Sequence, residues 1–342
     1  MKKAVILFNL GGPDKLENVE PFLFNLFNDP AIISIPSIVR YPWAKFISKR
    51  RAPIAKNIYK EIGNKSPILE LTQDQAKSLE NNLIKKGDYK CFVVMRCWHP
   101  RASEVIKKVR EYNPEEIILL PLYPQYSAST SGSSINEWND LCKKENYQVK
   151  TKTICCYPTE NNFLESHANL IKKTLKTLEN KNFKLLFSAH GLPENKIKKG
   201  DPYQWQVEKT VEGIMSKLTS ENLDFLISYQ SRVGPLKWIG PSTDEVIIKY
   251  SKEKKGIVIV PVAFVSEHSE TLVELDIEYK KLAEKNGCSF YKRVPALGTE
   301  ENFIKGLTEL VLQKETNGNF VSSIMCSDKY VKCPCLGLWK KF

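Results

Sequence analysis

Short runs of apolar and β-branched residues recur along the chain: AVILFNL (4–10), CFVVMRC (91–97), EIILLPLYP (116–124), VKTKTICC (149–156), KLLFSAH (184–190), DFLISYQ (224–230) and GIVIVPVAF (256–264). Each has the length of a strand buried on both faces. Amphipathic stretches of helical length lie between them, at 101–113, 160–180, 203–219 and 269–286. Strands alternating with helices predict parallel βαβ units and a doubly wound, Rossmann-like α/β fold. The second part of the chain repeats the pattern of the first. The expected organisation is an N-terminal α/β half (1–150), a similar C-terminal half (151–320) with a cleft between the two, and a cysteine-containing tail (321–342). A last helix near 300–315 is expected to pack back on the first half.

Ligands of such sheets bind beyond the carboxyl ends of the strands. RCWHP, LYPQYSASTSG, SAHGLP, SYQSRVGP and PVAFVSEHSE all stand at such ends. The convergence of His, Tyr, Gln, Glu, Trp and Phe there marks the place to look for chemistry. Residues 21–51 break the alternation, mixing large apolar side chains with repeated proline and ending in SKRR. Prolines 30, 36 and 42 predict that no single long helix forms there. The segment reads either as a loop-rich cap or as an apolar lip with basic anchors, able to touch a membrane surface or admit a greasy anionic substrate.

Composition narrows the class. The 342 residues carry 51 Lys+Arg against 39 Asp+Glu, a formal net charge of +12. The excess is mostly lysine scattered along the chain, which reads as solvated helix faces, with an anionic substrate or membrane surface as the other readings. No dense basic stripe with interleaved aromatics points to nucleic acid. MKKAVILFNLGGP starts like a signal peptide, but a glycine turn follows its short apolar run where a cleavage site would be needed. No run is long enough to span a bilayer. Nine cysteines without even spacing do not form a secreted disulfide framework, so a reducing cytosol is expected.

Against this basic background, SEHSETLVELDIEY (266–279) carries Glu267, Glu270, Glu274, Asp276 and Glu278 and no basic residue. Glu267, Glu270, Glu274 and Glu278 fall on one face of a helix. Such a ladder reads as a solvated acidic face, or as a row of hard oxygen ligands that attracts divalent cations and passes them along. His190 ends a buried strand, where imidazole serves as a proton acceptor or metal ligand near neutral pH. Imidazole with carboxylates suits a borderline divalent ion such as iron, cobalt or zinc.

LLFSAHGLPENKIKKGDPY (185–203), LISYQSRVGPLKWIGPST (226–243), PVAFVSEHSETLVELDIEY (261–279), LLPLYPQYSASTSGS (119–133) and FNLGGP (8–13) together resemble ferrochelatase, the enzyme that inserts ferrous iron into a porphyrin to make haem. The resemblance implies two similar α/β halves. It implies His190 and Glu270 facing each other across the porphyrin, with Glu267, Glu274 and Glu278 as further metal ligands. It places Tyr123, Val233, Trp238 and Phe264 on the pocket walls, and Arg50, Arg51, Tyr59, Ser66 and Arg96 around the macrocycle and its propionates. Family members carry an aromatic directly after the counterpart of Arg96, where this chain has Cys97.

The reaction expected is insertion of Fe²⁺, the substrate metal, with release of two protons and no nucleotide. Protoporphyrin is favoured, with coproporphyrin open. The rivals are a cobalt chelatase acting on another tetrapyrrole and a haem or metal carrier without turnover. The lip would be a membrane-facing mouth, giving a cytoplasmic protein with peripheral contact to the inner face of the membrane. In the tail, CSDKYVKCPC (326–335) spaces Cys326, Cys333 and Cys335 as thiolate ligands for an iron–sulfur cluster or structural zinc, or as unligated thiols. Some ferrochelatases hold a [2Fe–2S] cluster partly by C-terminal cysteines, so the resemblance favours that cofactor. A fourth ligand is expected from Cys155 or Cys156, where a strand end can face the incoming tail, and Cys155 is preferred.

Overall fold

The computed structural model describes residues 1–179, 182–219, 223–232, 234–314 and 319–336. Nine strands are described: β1 (Lys2–Asn9), β2 (Asp88–Met95), β3 (Glu116–Pro121), β4 (Lys150–Cys156), β5 (Phe183–His190), β6 (Phe225–Gln230), β7 (Gly256–Pro261), β8 (Tyr291–Arg293) and β9 (Phe320–Ser322). They form two parallel sheets, ordered β2-β1-β3-β4-β9 and β6-β5-β7-β8. The central strands β3, β5 and β7 are buried almost throughout, as continuous apolar runs require when helices cover both faces. The two similar doubly wound halves expected from the sequence are therefore present.

The helices are α1 (Val19–Phe27), α2 (Ser37–Lys60), α3 (Ile68–Leu83), α4 (Ala102–Tyr112), α5 (Ser131–Lys144), α6 (Asn161–Leu175), α7 (Glu194–Lys198), α8 (Tyr203–Ser216), α9 (Thr243–Lys252), α10 (Tyr279–Lys285) and α11 (Glu301–Leu312). α11 lies against α3 and α6, where Asn162 bonds Glu309 at 2.9 Å. The tail returns through β9 onto the free edge of β4.

The lip departs from expectation. α2 runs for 24 residues, with Pro42 and Pro53 inside it. Pro36 is its N-cap, where a missing N–H costs little. Each internal proline removes one backbone donor, but tertiary packing holds the helix: Ala44, Ser48 and Ala52, four apart, form its buried stripe. Such small side chains let α1 approach closely. The other side exposes Ile38 (84%), Val39, Tyr41, Phe46 (62%) and Ile54 beside Lys45, Lys49 and Arg50.

Candidate active site

His190 is the last residue of β5, Gln230 the last of β6, and the acidic segment follows β7. Parallel pairing in register places these three neighbouring carboxyl ends side by side. Gly191 lets the chain turn away at once; a Cβ there would lie 2.9 Å from the Gln230 carbonyl and 3.3 Å from the Trp238 ring. The Tyr203 hydroxyl at the start of α8 donates to the His190 carbonyl at 3.0 Å, fixing the backbone that carries the imidazole.

Glu270 opens a π-helix (Glu270–Glu278) that runs into α10. This wider turn is rare and recurs at functional sites. Its first carboxylate meets the imidazole: Glu270 Oε2 lies 3.2 Å from His190 Nδ1, with the side chains 31% and 38% exposed. Burial opposes charge on His190, but the Glu270 charge and hydrogen bond, with Glu274 beyond, raise its pKa above the usual value. Burial likewise works to raise Glu270, but His190 outweighs it and holds the carboxyl at about 2. The two shifts are mutual, each charge stabilising the other across the contact.

In the free protein the two residues, expected to face each other across a ring, are in direct contact. Van der Waals contact needs about 3.5 Å on each side of a flat macrocycle, or about 7 Å between groups on opposite faces. At 3.2 Å these two atoms leave no room for a ring between them in the free protein.

The acidic ladder is also divided. Glu267 precedes the π-helix and accepts from Arg293 at 2.8 Å and from the Ala296 amide at 2.9 Å. Arg293 grips Asp276 through two further bonds of 2.6 and 2.7 Å. Burial disfavours the Glu267 charge, but Arg293 outweighs it and keeps the carboxyl below its ordinary range. The guanidinium thus bonds two members of the acidic run, offsetting one of their two charges, and ties the π-helix to β8. Glu274 receives four bonds: from the Ser231 amide (2.9 Å) and hydroxyl (2.5 Å), Gln230 Nε2 (3.0 Å) and the Tyr279 hydroxyl (2.9 Å). Burial first, then the Glu270 charge, push its pKa up. Only Glu278, at the outer end, is fully exposed.

The remaining predicted residues spread around this centre. The Tyr59 hydroxyl, from α2, lies by Ser269 and Glu270; burial pushes its pKa to about 12. Phe264 packs edge-on against His268, with ring centres 4.7 Å apart, and the Glu270 amide donates to His268 Nδ1 at 3.1 Å. Burial lowers the His268 pKa below its usual value. Trp238 pairs with Pro193 through a backbone bridge beside Gly191. Tyr123 and Cys97 are neighbours of Arg96, and burial pushes both of their pKa values up. Arg96 itself is bound by Asp29 at 3.0 Å, Glu137 at 3.3 Å and Ser133 at 2.7 Å, so its charge is already matched. Ser66 packs against Gly12, where a Cβ would lie 2.5 Å away. Arg50 and Arg51 stand on α2 with no ion-pair partner among the described residues. Val233 lies outside the described residues. Gln230, Ser231, Tyr203, Tyr279 and Arg293 had not been singled out; SYQSR at a strand end was the one cue for the first two.

A second constellation lies under the tail. The Sγ atoms of Cys155, Cys333 and Cys335 lie within 4.8 Å of one another, all buried. Cys326 joins them through a thiol contact with Cys333. A bulge makes this possible: Ile154 pairs with Val321 and Cys156 with Ser322, so Cys155 is an extra residue in β4. Successive strand residues normally face opposite sides, and the bulge re-aims Cys155. Bonds from Cys155 and then Cys333 hold the Cys335 thiol well below its ordinary pKa. A buried nest of four thiols, one already inclined to ionise, fits a soft thiophilic metal or an iron–sulfur cluster.

Two doubly wound α/β halves with an imidazole–carboxylate pair at the strand ends define a metal-handling cleft protein. A model of the ferrochelatase family matches residues 2–315. The chain is 65% identical to ferrochelatase of Pelagibacter ubique (strain HTCC1062), covering 98% of this chain and 99% of that one. Identity to ferrochelatase of Rickettsia felis (strain ATCC VR-1525 / URRWXCal2) is 49%, with coverage of 98% and 99%. For Caulobacter vibrioides (strain NA1000 / CB15N) it is 47%, with 98% and 97%. Among solved structures, SirB from Bacillus subtilis with Fe³⁺ shares the fold at a TM-score of 0.51 and 14% identity, covering 91% of this chain and 95% of that one. The chain belongs to the ferrochelatase family, enzymes that insert ferrous iron into a porphyrin to make haem.

Proposed function

We propose that this protein metallates its porphyrin from a single face of the ring, using His190 and Glu270 together. The observation that carries this is their 3.2 Å contact at the end of β5. A free-base porphyrin must lose two inner protons as Fe²⁺ enters. His190, once neutral, accepts one pyrrole proton, releases it to solvent and then takes the second; Glu270 stabilises the imidazolium formed at each transfer and offers an oxygen to the ferrous ion. Trp238, Phe264 and Tyr123 supply flat apolar walls. Arg50 and Arg51, lacking carboxylate partners, suit the propionates at the mouth, while Arg96, bound to Asp29 and Glu137, shapes the wall. Glu278 gathers hydrated cations at the outer end. Glu267 serves the Arg293 clamp, and Glu274, its oxygens fully engaged, holds the π-helix to β6. Mixing the protein anaerobically with Fe²⁺ and protoporphyrin tests the reading: porphyrin bands should convert to haem bands with turnover. Stoichiometric binding without turnover would make it a carrier.

The lip on α2 is proposed to rest on a membrane surface. No helix among the described residues is long and apolar enough to cross one. Its exposed Ile38, Val39, Tyr41, Phe46 and Ile54 lie beside Lys45, Lys49 and Arg50, each cation worth about 1 kcal/mol near an anionic surface. Flotation with anionic vesicles should be strong at low salt and weaken as salt screens the cations. Absence of flotation at every salt concentration would reject the contact.

The thiol nest is proposed to hold a [2Fe–2S] cluster through Cys155, Cys326, Cys333 and Cys335. When bound, the cluster supplies a one-electron centre that also pins the tail to β4. Brown protein with about two irons and two sulfides per chain is expected after anaerobic purification. Colourless zinc-loaded protein would assign the nest to structural zinc.

A further inference from the structure

A fifth sulfur and a buried amide adjoin the thiol nest. Cys156 follows Cys155 in β4 and is equally buried. Its Sγ lies 3.1 Å from the Ser322 hydroxyl. That hydroxyl has one hydrogen, and the Ile324 carbonyl, which can only accept, takes it at 2.6 Å. With that hydrogen taken, the Ser322 oxygen is left facing Cys156 Sγ, and this sulfur sits against the tail's β9 rather than among the three grouped thiols of Cys155, Cys333 and Cys335.

Gln206, on the first turns of α8, is fully buried. Its Oε1 accepts the Tyr126 amide at 2.7 Å. A backbone N–H can only donate, so the side-chain amide has one possible orientation. Its NH₂ must then face the sulfurs, and it lies 3.3 Å from Cys326 Sγ and 3.4 Å from Cys156 Sγ. Two donors are thus aimed at two sulfurs in a site without solvent. The helix that carries them is braced against the tail by Trp205, which stacks on Tyr330 with ring centres 5.1 Å apart.

We propose that Gln206 is a positioning residue for the cluster at this nest, setting its reduction potential through an N–H···S bond to Cys326, while Cys156, turned to Ser322, lies outside the ligand set. The proposal rests on the cluster reading above. One-electron reduction adds negative charge that spreads onto the ligand sulfurs. A donor held against a ligand sulfur stabilises the reduced form more than the oxidised form, which raises the potential. Since the amide is anchored by Tyr126, its geometry does not depend on which form is present.

The test is anaerobic dithionite titration of the full chain, followed by visible absorbance and electron paramagnetic resonance, with iron and sulfide counted in each variant. Gln206→Met removes the donors at similar volume. It should keep the full iron and sulfide complement, shift the midpoint to more negative potential and alter the resonance of the reduced cluster. Gln206→Glu keeps the Tyr126 bond and places a carboxyl beside the sulfur, so its midpoint should move the same way even if the methionine variant fails to fold. Cys156→Ala should retain iron and sulfide, while Cys155→Ala should lose them. Wild-type midpoint and resonance in both Gln206 variants would overturn the proposal and leave the cluster reading standing. Loss of the cluster in Cys156→Ala with retention in Cys155→Ala would overturn the ligand assignment. Wild-type protein without iron and sulfide would remove the cluster reading and this proposal together.

Discussion

The π-helix site and the thiol nest both look built for iron, but in opposite ways. The first uses nitrogen and oxygen on side chains 38% and 31% exposed, at the open ends of β5 and β7. The second uses sulfur, fully buried and closed over by the tail. A borderline nitrogen and a hard oxygen, both partly exposed, suit a hydrated ferrous ion that is bound and released again. Soft buried thiolates hold metal with a large share of the folding free energy of the segment they tie down. On the proposed readings the difference is between passage and residence: the first donor set suits transfer of iron, the second suits keeping it. Their contact with the protein differs in the same sense. The Glu270 segment is kept in shape by an external clamp, Arg293, whereas the thiols depend on one another.

The comparison breaks most sharply at His190. His190→Ala should lower the turnover number about 10²- to 10⁴-fold, the range for loss of a general base, with porphyrin binding and cluster content retained. Near-wild-type turnover would mean that proton removal happens elsewhere. Cys333→Ala should show the converse: full loss of iron and sulfide, a destabilised tail, and an intact His190–Glu270 pair visible in the imidazole resonances. If both variants lost both properties, the two sites would be one cooperative unit.

Much of this was legible beforehand, and the reasons are physical. Long apolar runs at strand length located the central strands because burial on both faces leaves that pattern in any parallel sheet. β8 and β9 left no such mark: each has only three residues, at a sheet edge. The ends of β5 and β7 pointed to His190 and Glu270, but that they touch depends on register and on the π-turn, which no periodicity reveals. Carboxylates four apart look alike on an α- or a π-helix, so the ladder was read as continuous. The cation that interrupts it, Arg293, is 26 residues from Glu267. A strand end that can face the tail pointed to the pair Cys155 and Cys156; no pattern in the chain separates the two, and it is the bulge that sets Cys155 beside Cys333 and Cys335.

Glu270→Gln sharpens the passage side through pH. On the proposed mechanism neutral imidazole is the active form, so activity should fall as pH drops through a His190 pKa raised above 6.5. Removing the Glu270 charge leaves burial dominant, which moves that acid limb to lower pH while turnover itself declines. The sign for stability follows from both partners. The depressed Glu270 contributes fully above 4.5 and loses its contribution as pH falls towards about 2. The raised His190 contributes fully below 6.5 and loses its contribution as pH rises through its folded value. The Tm difference between wild type and Glu270→Gln should therefore be greatest between 4.5 and 6.5. A difference that grew steadily towards alkaline pH would show that the pair is not ionised.

The smallest effect concerns Glu278. It is exposed and stands outside the Arg293 clamp and the Glu274 hydrogen bonds. A surface carboxylate attracts a divalent ion only weakly once salt screens it. Glu278→Gln should leave the turnover number unchanged and raise the KM for Fe²⁺ by a small factor, on the order of two to five, as expected for about 0.5–1 kcal/mol of surface attraction. That increase should disappear at high ionic strength, where the wild type loses the same attraction. An equal KM at low salt would show that iron reaches Glu270 by another way, past α2 or with the porphyrin already seated. A fall in turnover number instead would place Glu278 among the groups that act on the bound ring.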